Sequence, residues 1–421
     1  MNYLDILIYA CMVIVGAVAV VFAISWYYTI VRFWNGIGLV GIEKTFSYDL
    51  DDLAVSFFRA VEDKFGKSKF QGIKVGLVKR VPITYKLVKV DIDKDTQVVV
   101  GDVEVGGIKG FFRIGGEKGE PILYAYVKKI HMQEVRNLFE SVSHNLEHSS
   151  IYKNKAFSLP GRNFINLSDI SEDMVTYNES VLSELKAKVW AFLEQGDRCL
   201  EFGLKLQSKI LFLGQFGSGK SLAALITAKK AVKNKWTFVY LEPTIQSASS
   251  MLDAVIKFSR IYQPVVVLIE DFDREQRSGN TFAVGRIMSA MDDITTKDDE
   301  ILILMTSNYP DKIEPGIQRP GRIDECIDFG VFKQEDAKKL LVKLIPPDML
   351  SPAIDWKKVL ASCEGYMPSF VVRMGESAKL LAISESNGSE PVVTDAMLIN
   401  AAEKLRKRHN TCSVALGFQK D

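Results

Sequence analysis

The chain has 421 residues, of which 47% are hydrophobic and 25% are charged, with 53 Lys plus Arg against 52 Asp plus Glu. This composition excludes a disordered or collagen-like chain and predicts roughly two to four domains of about 100 to 200 residues each. The balanced charge makes nucleic acid an unlikely partner, because affinity for nucleic acid comes mostly from Lys and Arg side chains that neutralise phosphates. The five cysteines include no CxxC pair and the four histidines include no HExxH motif. Neither a disulfide framework nor a zinc hydrolase is therefore indicated.

The first predicted element is an apolar segment at residues 6–28, which carries no charge over 23 residues. As a helix with a rise of about 1.5 Å per residue it would be roughly 34 Å long, enough for a bilayer core of about 30 Å. A cleaved secretory signal is the alternative, but the segment has neither a basic start nor a small-residue cleavage pattern. We expect a transmembrane anchor within residues 1–35. The distribution of Lys and Arg predicts a single-pass topology with the N-terminus outside and the rest of the chain on the cytoplasmic or matrix face of the membrane.

Residues 36–151 have short β-type patterns between Gly, Pro and Asp turn signals, and they predict a β-rich α+β domain. The predicted strands are residues 72–78, 84–90, 97–105, 110–114 and 122–127, and the predicted helices are residues 50–64 and 133–146. Residues 152–175 are polar and contain a Leu-Pro-Gly break. They are predicted to be a connector.

From residue 176 onward, strands alternate with helices, which is typical of a parallel sheet covered on both faces. The predicted strands are residues 210–213, 237–241, 265–269 and 301–305, and the last three are continuous apolar runs, as strands buried on both faces are. Only helical patterns follow, at residues 334–344, 356–361, 370–384 and 395–407. The pattern predicts a doubly wound α/β domain at 176–332, a helical lid at 333–408 and a tail at 409–421.

A complete GxxxxGK[ST] motif lies between a predicted strand and an apolar helix. Its residues are Gly214, Gln215, Phe216, Gly217, Ser218, Gly219, Lys220 and Ser221. In such a P-loop the backbone N–H groups and the helix N-terminus bind phosphate oxygens, Lys220 reaches the terminal phosphates and Ser221 can ligate magnesium. A chance glycine-rich turn is the alternative, but the flanking strand and helix favour a site for ATP and Mg²⁺.

The predicted strand at 265–269 ends in Glu270 and Asp271, carboxylates of the kind that a magnesium ion and an attacking water require. Strands often end in solvated acids, so this pattern alone is weak. Its position about 50 residues after the P-loop, with one predicted strand between, strengthens it.

Together with residues 301–324, ILILMTSNYPDKIEPGIQRPGRID, these motifs resemble those of the AAA family of ATPases. The resemblance covers residues 176–407 and implies a P-loop AAA+ fold that hydrolyses ATP in a homo-oligomeric ring, a hexamer or a heptamer. By this match Asn308 senses the γ-phosphate, and Arg319 and Arg322 are arginine fingers that reach the nucleotide of a neighbouring subunit. Solvated arginines after a Pro-Gly turn are the alternative interpretation.

The sequence departs from the family pattern at two places. Most family members end the second motif in Asp-Glu, whereas here the order is Glu270-Asp271. We therefore assign Glu270, with Ser221, to the magnesium ion and Asp271 to the attacking water. Residues 242–250 also lack the aromatic-hydrophobic-Gly pore loop of family members that thread peptides. Threading by an aromatic staircase is thus not indicated.

The order of anchor, β-rich domain and ATPase domain resembles the branch of mitochondrial inner-membrane AAA translocases that insert the Rieske iron–sulfur protein during assembly of complex III. This resemblance implies a membrane-anchored ring that remodels or translocates protein clients. The alternative is a membrane scaffold ring that is stabilised by bound nucleotide and hydrolyses little of it. The reversed order of the Glu270-Asp271 pair keeps this alternative open. A nucleic-acid motor is disfavoured by the balanced charge and the membrane segment.

Overall fold

The structure is a computed structural model that describes residues 39–66, 70–75, 79–80, 82–117, 120–174, 176–242, 248–272, 299–309, 322–330, 332–386 and 389–415. The chain divides into two compact units, Met1–Ile151 and Tyr152–Asp421. The predicted membrane segment at 6–28 lies outside the described residues. Within the described ranges, no helix combines the length and the apolar composition that crossing a bilayer requires.

The described part of the first unit is built around an antiparallel sheet. Its strands are β1 (Leu39–Thr45), β2 (Phe70–Gly72), β3 (Lys74–Val75), β4 (Lys79–Arg80), β5 (Thr84–Asp91), β6 (Lys94–Val105), β7 (Gly110–Glu117) and β8 (Glu120–Lys128). The main sheet has the order β1-β8-β7-β6-β2, β5 pairs with β6, and β3 pairs with β4. Only a few residues separate each strand from the next between β5 and β8, as antiparallel neighbours allow. The sequence pattern does not predict β1. Of the strand predicted at 72–78, the structure describes the end of β2 and all of β3, and residues 76–78 lie outside the described residues.

Helices α1 (Leu50–Phe65) and α2 (Met132–His148) pack against this sheet. A single 3-10 turn, Lys129–His131, precedes α2. Helix α1 begins after Asp49, whose carboxylate accepts a hydrogen bond from the backbone N–H of Asp51. Leu53, Phe57 and Val61, at spacing four along α1, are buried because they form one core with the inner face of α2 and the sheet.

Among the described residues, the second unit contains a parallel sheet of six strands. The strands are β9 (Ala156–Leu159), β10 (Ser208–Leu213), β11 (Thr237–Leu241), β12 (Val265–Ile269), β13 (Ile301–Ser307) and β14 (Glu325–Asp328). Their order is β14-β10-β13-β12-β11-β9, and each neighbouring pair is parallel. Strands β10 to β13 lie where the apolar runs predict them. The predicted α/β fold with a parallel sheet therefore agrees with the structure.

The two edge strands of this sheet, β9 and β14, are not predicted by the sequence pattern. Strand β9 lies inside the predicted connector at 152–175, and each edge strand has four residues. A periodicity needs more residues than this to be recognised. Strand β9 is nevertheless fully buried, because the ring of Phe157 packs against the rings of Tyr152, Phe164 and Phe258.

Helices of the second unit pack against this sheet. They are α3 (Glu179–Leu185), a π-helical turn (Lys186–Trp190), α4 (Ala191–Glu194), α5 (Gly196–Glu201), α6 (Lys220–Lys233) and α7 (Ala248–Ile261), with a 3-10 turn (Glu172–Met174) before α3. The indole N–H of Trp190 donates to the hydroxyl of Thr227 on α6 over 3.0 Å, and both side chains are buried. This contact holds the π-helical turn against the helix that follows the P-loop.

The remaining helices lie where the lid is predicted, and they share an apolar core of their own. They are α8 (Gln334–Leu344), a 3-10 turn (Pro347–Met349), α9 (Trp356–Ser362), α10 (Pro368–Glu385) and α11 (Asp395–Ala415). Leu340, Val371, Met374 and Leu398 are completely buried in that core. Helix α11 extends beyond residue 407, where its predicted end lies, and so includes part of the predicted tail at 409–421.

Candidate active site

The register of the parallel sheet brings three predicted motifs to the same edge. Leu213 at the end of β10 lies opposite Ser307 of β13, and Ile269 at the end of β12 lies opposite Met305 of β13. The P-loop, the acidic pair and Asn308 therefore leave the sheet side by side. In parallel α/β sheets, ligands bind at the carboxyl ends of the strands where the strand order reverses, and β10 and β13 are such neighbours.

A cavity of about 390 Å³ lies at this edge of the sheet, a size typical of small-molecule sites. Its lining includes the predicted residues Phe216, Gly217, Gly219, Lys220, Ser221, Glu270, Asp271 and Asn308, together with Met174, Leu222, Thr306, Pro368, Ser369 and Val372. Basic, acidic and amide side chains thus converge on one space between the sheet and the lid.

Lys220 is buried at the base of this cavity. Its Nζ donates to the carbonyl oxygens of Gly214 over 2.7 Å and Gln215 over 3.0 Å, and it lies 3.4 Å from the hydroxyl of Ser218. The ammonium group is therefore held inside the turn of the P-loop. Because it lies at the N-terminus of α6, its charge and the helix dipole both favour an anion there.

Asn308 connects Lys220 to the acidic pair. Its Oδ1 accepts a hydrogen bond from Lys220 Nζ over 2.8 Å, and its Nδ2 donates to Asp271 Oδ1 over 2.7 Å. The amide can do both at once only with its oxygen toward the lysine and its nitrogen toward the carboxylate. The chain Lys220–Asn308–Asp271 consequently fixes the position of one carboxylate relative to the P-loop.

Glu270 has a partner that the sequence pattern does not indicate. The hydroxyl of Tyr240 on β11 donates to Glu270 Oε2 over 3.0 Å. Burial, and the negative charge of Glu270, raise the pKa of the Tyr240 hydroxyl above its ordinary value. The phenol therefore keeps its proton and its role as donor. No local motif could have identified Tyr240, because the contact depends on the pairing of β11 with β12.

The oxygen donors of the cavity fit a magnesium ion. Ser221, Glu270 and Asp271 line the same cavity, and hydroxyl and carboxylate oxygens are the ligands that Mg²⁺ prefers. Magnesium normally keeps several waters and takes only one or two carboxylates from a protein, so the set is sufficient without further side chains.

The cavity also has contacts that the sequence motifs do not predict. The backbone N–H of Ser369, at the start of the lid helix α10, donates to the carbonyl of Gly217 over 3.2 Å. The hydroxyl of Tyr177 donates to the carbonyl of Gly219 over 3.0 Å, and burial raises the pKa of that hydroxyl. Two glycines of the loop, Gly217 and Gly219, are thus held by other parts of the second unit.

The structure positions one of the two predicted arginine fingers. Arg319 lies outside the described residues. Arg322 is partly buried in the turn before β14. Nearby, the backbone N–H of Lys209 donates to a carboxylate oxygen of Asp324 over 2.8 Å, and the backbone N–H of Asp324 donates to the carbonyl of Lys209, also over 2.8 Å. Arg322 is not among the described residues that line the cavity.

The sequence was compared with models of known protein families, and one of them matches the part of the chain that forms this site. Residues 210–331 match the model of the family described as ATPase family associated with various cellular activities (AAA). The match begins in β10 and ends just after β14, so it contains the P-loop, the acidic pair, Asn308 and both predicted arginines. Residues 210–331 therefore resemble an AAA ATPase domain.

Three similar proteins are a Schizosaccharomyces pombe homologue of 26S proteasome regulatory subunit 6B, the Acholeplasma laidlawii ATP-dependent zinc metalloprotease FtsH, and a Plasmodium falciparum protein whose name describes a cell division cycle ATPase. The first is 22% identical over 49% of this chain and 56% of its own length. FtsH is 24% identical over 48% of this chain and 33% of its own length. The third is 22% identical over 62% of this chain and 23% of its own length. The chain thus spans less than two thirds of the length of each of these relatives.

Proposed function

We propose that this protein binds ATP with Mg²⁺ in the cavity at the edge of the parallel sheet and hydrolyses it there. The observation that carries the proposal is the contact chain Lys220–Asn308–Asp271 inside a cavity that Ser221 and Glu270 also line. It joins a phosphate-binding cation to a carboxylate through one amide. Phosphoryl transfer needs these groups, because its catalysis consists mostly of positioning and charge stabilisation.

Each side chain has a proposed role. Lys220 and the P-loop N–H groups bind the terminal phosphates, and Asp271 accepts a hydrogen bond from the attacking water. Asn308, between them, orients the carboxylate of Asp271 relative to the phosphate that Lys220 holds. Ser221 and Glu270 would hold Mg²⁺, which would neutralise charge on the phosphate oxygens.

We further propose that the chain forms a homo-oligomeric ring in which Arg319 and Arg322 complete the site of the neighbouring subunit. Supporting this, Arg322 does not line the described part of its own chain's cavity. A guanidinium group stabilises the charge that spreads over a transferred phosphoryl group, so a site without one would be slow. Whether the ring is a hexamer or a heptamer depends on the subunit interface.

The proposed clients are proteins, which the ring remodels or translocates at a membrane. Two relatives support this class of client by their names, a proteasome regulatory subunit and an ATP-dependent metalloprotease. The finer proposal is a translocase of the kind that inserts the Rieske protein, and it rests on the order of apolar segment, β-rich unit and AAA domain.

The test of ATP hydrolysis compares two lysines on the same helix. Lys220→Ala should lower nucleotide affinity and reduce turnover about a hundredfold or more, because it removes the cation that contacts the phosphates. Lys233→Ala, at the exposed end of α6, is the matched control and should leave both unchanged. Fluorescent-nucleotide binding and phosphate release are the measurements.

Three outcomes distinguish the functions. Turnover that depends on Lys220 supports the ATPase. Lys220-dependent binding with negligible turnover would instead indicate a scaffold ring that nucleotide stabilises. If Lys220→Ala bound ATP as well as the wild type does, the assignment of this cavity as the ATP site would be wrong.

The membrane proposal has a separate test. Full-length protein in isolated membranes should resist alkaline carbonate extraction, whereas a variant lacking residues 1–35 should be released, because the apolar segment at 6–28 is the proposed anchor. Release of both proteins would exclude an integral anchor in this segment.

A further inference from the structure

Asp271 has a backbone conformation that side-chain-bearing residues rarely adopt. Its φ angle is +49°, in the left-handed region, where Asp and Asn are the most frequent residues after glycine. Such conformations persist only where the surrounding structure holds them, and they often occur at functional sites. The question is therefore which contacts hold Asp271 in this conformation.

Thr306, on the neighbouring strand β13, makes two of those contacts. Its Oγ1 accepts a hydrogen bond from the backbone N–H of Asp271 over 3.1 Å, and its carbonyl accepts one from the backbone N–H of Phe272 over 2.9 Å. The Thr306 side chain is almost fully buried, with 2% of its surface exposed. A buried, β-branched side chain has little rotational freedom, so its hydroxyl is a fixed acceptor.

The hydroxyl matters because Asp271 has a short side chain. Its carboxylate is one methylene closer to the backbone than a glutamate would be, so the backbone conformation largely decides where it lies. The side-chain amide of Asn308, two residues after Thr306, donates to Asp271 Oδ1 over 2.7 Å. Strand β13 and the residue that follows it therefore hold Asp271 at two points, the backbone N–H through Thr306 and the carboxylate through Asn308.

We infer that Thr306 is a positioning residue for Asp271. Its hydroxyl holds the backbone in the left-handed conformation that directs the carboxylate toward Asn308 and the cavity. The inference deepens the proposed function and depends on it, since the role of Asp271 is to orient the attacking water.

The test uses substitutions that keep the shape of the buried side chain. Thr306→Val removes the hydroxyl and should lower kcat about tenfold, while the Kd for ATP changes by less than about twofold. Thr306→Ser keeps the hydroxyl and should retain most of the rate.

Thr237→Val is the matched control. Thr237 is another buried threonine whose Oγ1 accepts a backbone N–H, from Asn154, but it lies at the start of β11, away from the site, and its loss should leave kcat unchanged.

A double-mutant cycle separates positioning from a general loss of structure. If Thr306 acts through Asp271, then Thr306→Val should change kcat by less than about twofold in an Asp271→Asn background. A tenfold loss in both backgrounds would overturn the inference, as would a Thr306→Val protein with wild-type kcat.

A second readout does not need turnover. Amide hydrogen exchange of a peptide covering residues 270–272 should be about tenfold faster in Thr306→Val than in the wild type, because the Asp271 N–H loses its acceptor. Unchanged exchange would contradict the positioning role. A wild-type protein without turnover would instead count against the proposed function, and the exchange experiment would still decide the role of Thr306.

Discussion

Gly217, in the P-loop, lies so close to the lid that no residue with a side chain could take its place. Its φ angle is +78°, and an added Cβ would overlap Ser369 Oγ and lie 3.0 Å from Ser369 Cβ. The close approach lets the carbonyl of Gly217 accept the hydrogen bond from the N–H of Ser369. A glycine here therefore serves two purposes, the left-handed turn and the contact with the first turn of α10.

These two purposes can be separated with a second glycine. Gly203 has a similar φ of +75°, but no described atom lies within 4 Å of the position of an added Cβ. Both Gly217→Ala and Gly203→Ala should therefore destabilise the fold by about 1 to 2 kcal/mol through backbone strain. Only Gly217→Ala should also weaken ATP binding, by about tenfold, because it displaces the wall that α10 contributes to the cavity. Equal ATP affinities in the two variants would show that this contact has no part in binding.

The contact between Tyr240 and Glu270 predicts a dependence on magnesium. Tyr240→Phe removes the donor to Glu270, so the Mg²⁺ concentration for half-maximal turnover should rise about three- to tenfold. Because burial and Glu270 raise the pKa of Tyr240, the phenol stays protonated as pH rises from about 7 to about 9, and the ratio between variant and wild type should stay constant over that range. A ratio that falls toward one at the higher pH would mean that Tyr240 ionises there. Tyr85→Phe, on an exposed side chain of the first unit, is the control.

At the scale of elements, strand β9 is an integral part of the ATPase sheet. Phe157 is completely buried, with its ring centroid 4.9 Å from that of Tyr152 and 5.7 Å from that of Phe258. The strand also pairs in parallel with β11 over four residue pairs. The second unit thus needs residues 156–159, which lie before the segment that matches the AAA family model.

This burial predicts a large effect on stability. Phe157→Ala should lower the free energy of unfolding by about 3 to 5 kcal/mol, because it leaves a cavity among packed rings. Phe202→Ala removes the same ring from a position that is 74% exposed, and it should change stability by less than about 0.5 kcal/mol. Denaturant unfolding of the full chain measures both. A small effect of Phe157→Ala would mean that β9 is a dispensable edge of the sheet.

The elements that the sequence predicts best are those that burial dictates. Strands β11, β12 and β13 are completely or almost completely apolar and lie in the interior of the sheet, so continuous hydrophobic runs mark them. Strands β1, β9 and β14 lie at sheet edges, where each pairs with one neighbouring strand only. Their sequences are short or alternate between polar and apolar residues. Their existence depends on which strand they pair with, and the local sequence contains little information about that pairing.

The same distinction holds within the site. The P-loop, Glu270, Asp271 and Asn308 can be proposed from sequence, because each follows an apolar strand within a short motif. Tyr240 and Ser369 belong to no motif, and the family resemblance assigns no role to Thr306. Their contacts with the site depend on strand pairing and on the packing of the lid on the sheet, both of which join residues far apart in the chain.

In the whole assembly that we propose, each subunit completes the site of the next. Arg322 lies in the turn before β14, close in sequence to Asp324, which exchanges hydrogen bonds with Lys209. The proposed ring requires a heterologous interface that brings this arginine next to the following subunit's cavity. Isolated subunits would then hydrolyse ATP slowly.

Rings assembled from two inactive variants test this claim most directly. Asp271→Asn and Arg322→Ala should each reduce turnover strongly when assembled alone. In rings co-expressed from equal amounts of both, about a quarter of the sites pair an intact Asp271 with an intact arginine from the neighbour, so turnover should recover to about a quarter of the wild-type rate. Turnover no higher than the mean of the two separate variants would contradict completion of the site by the neighbouring subunit.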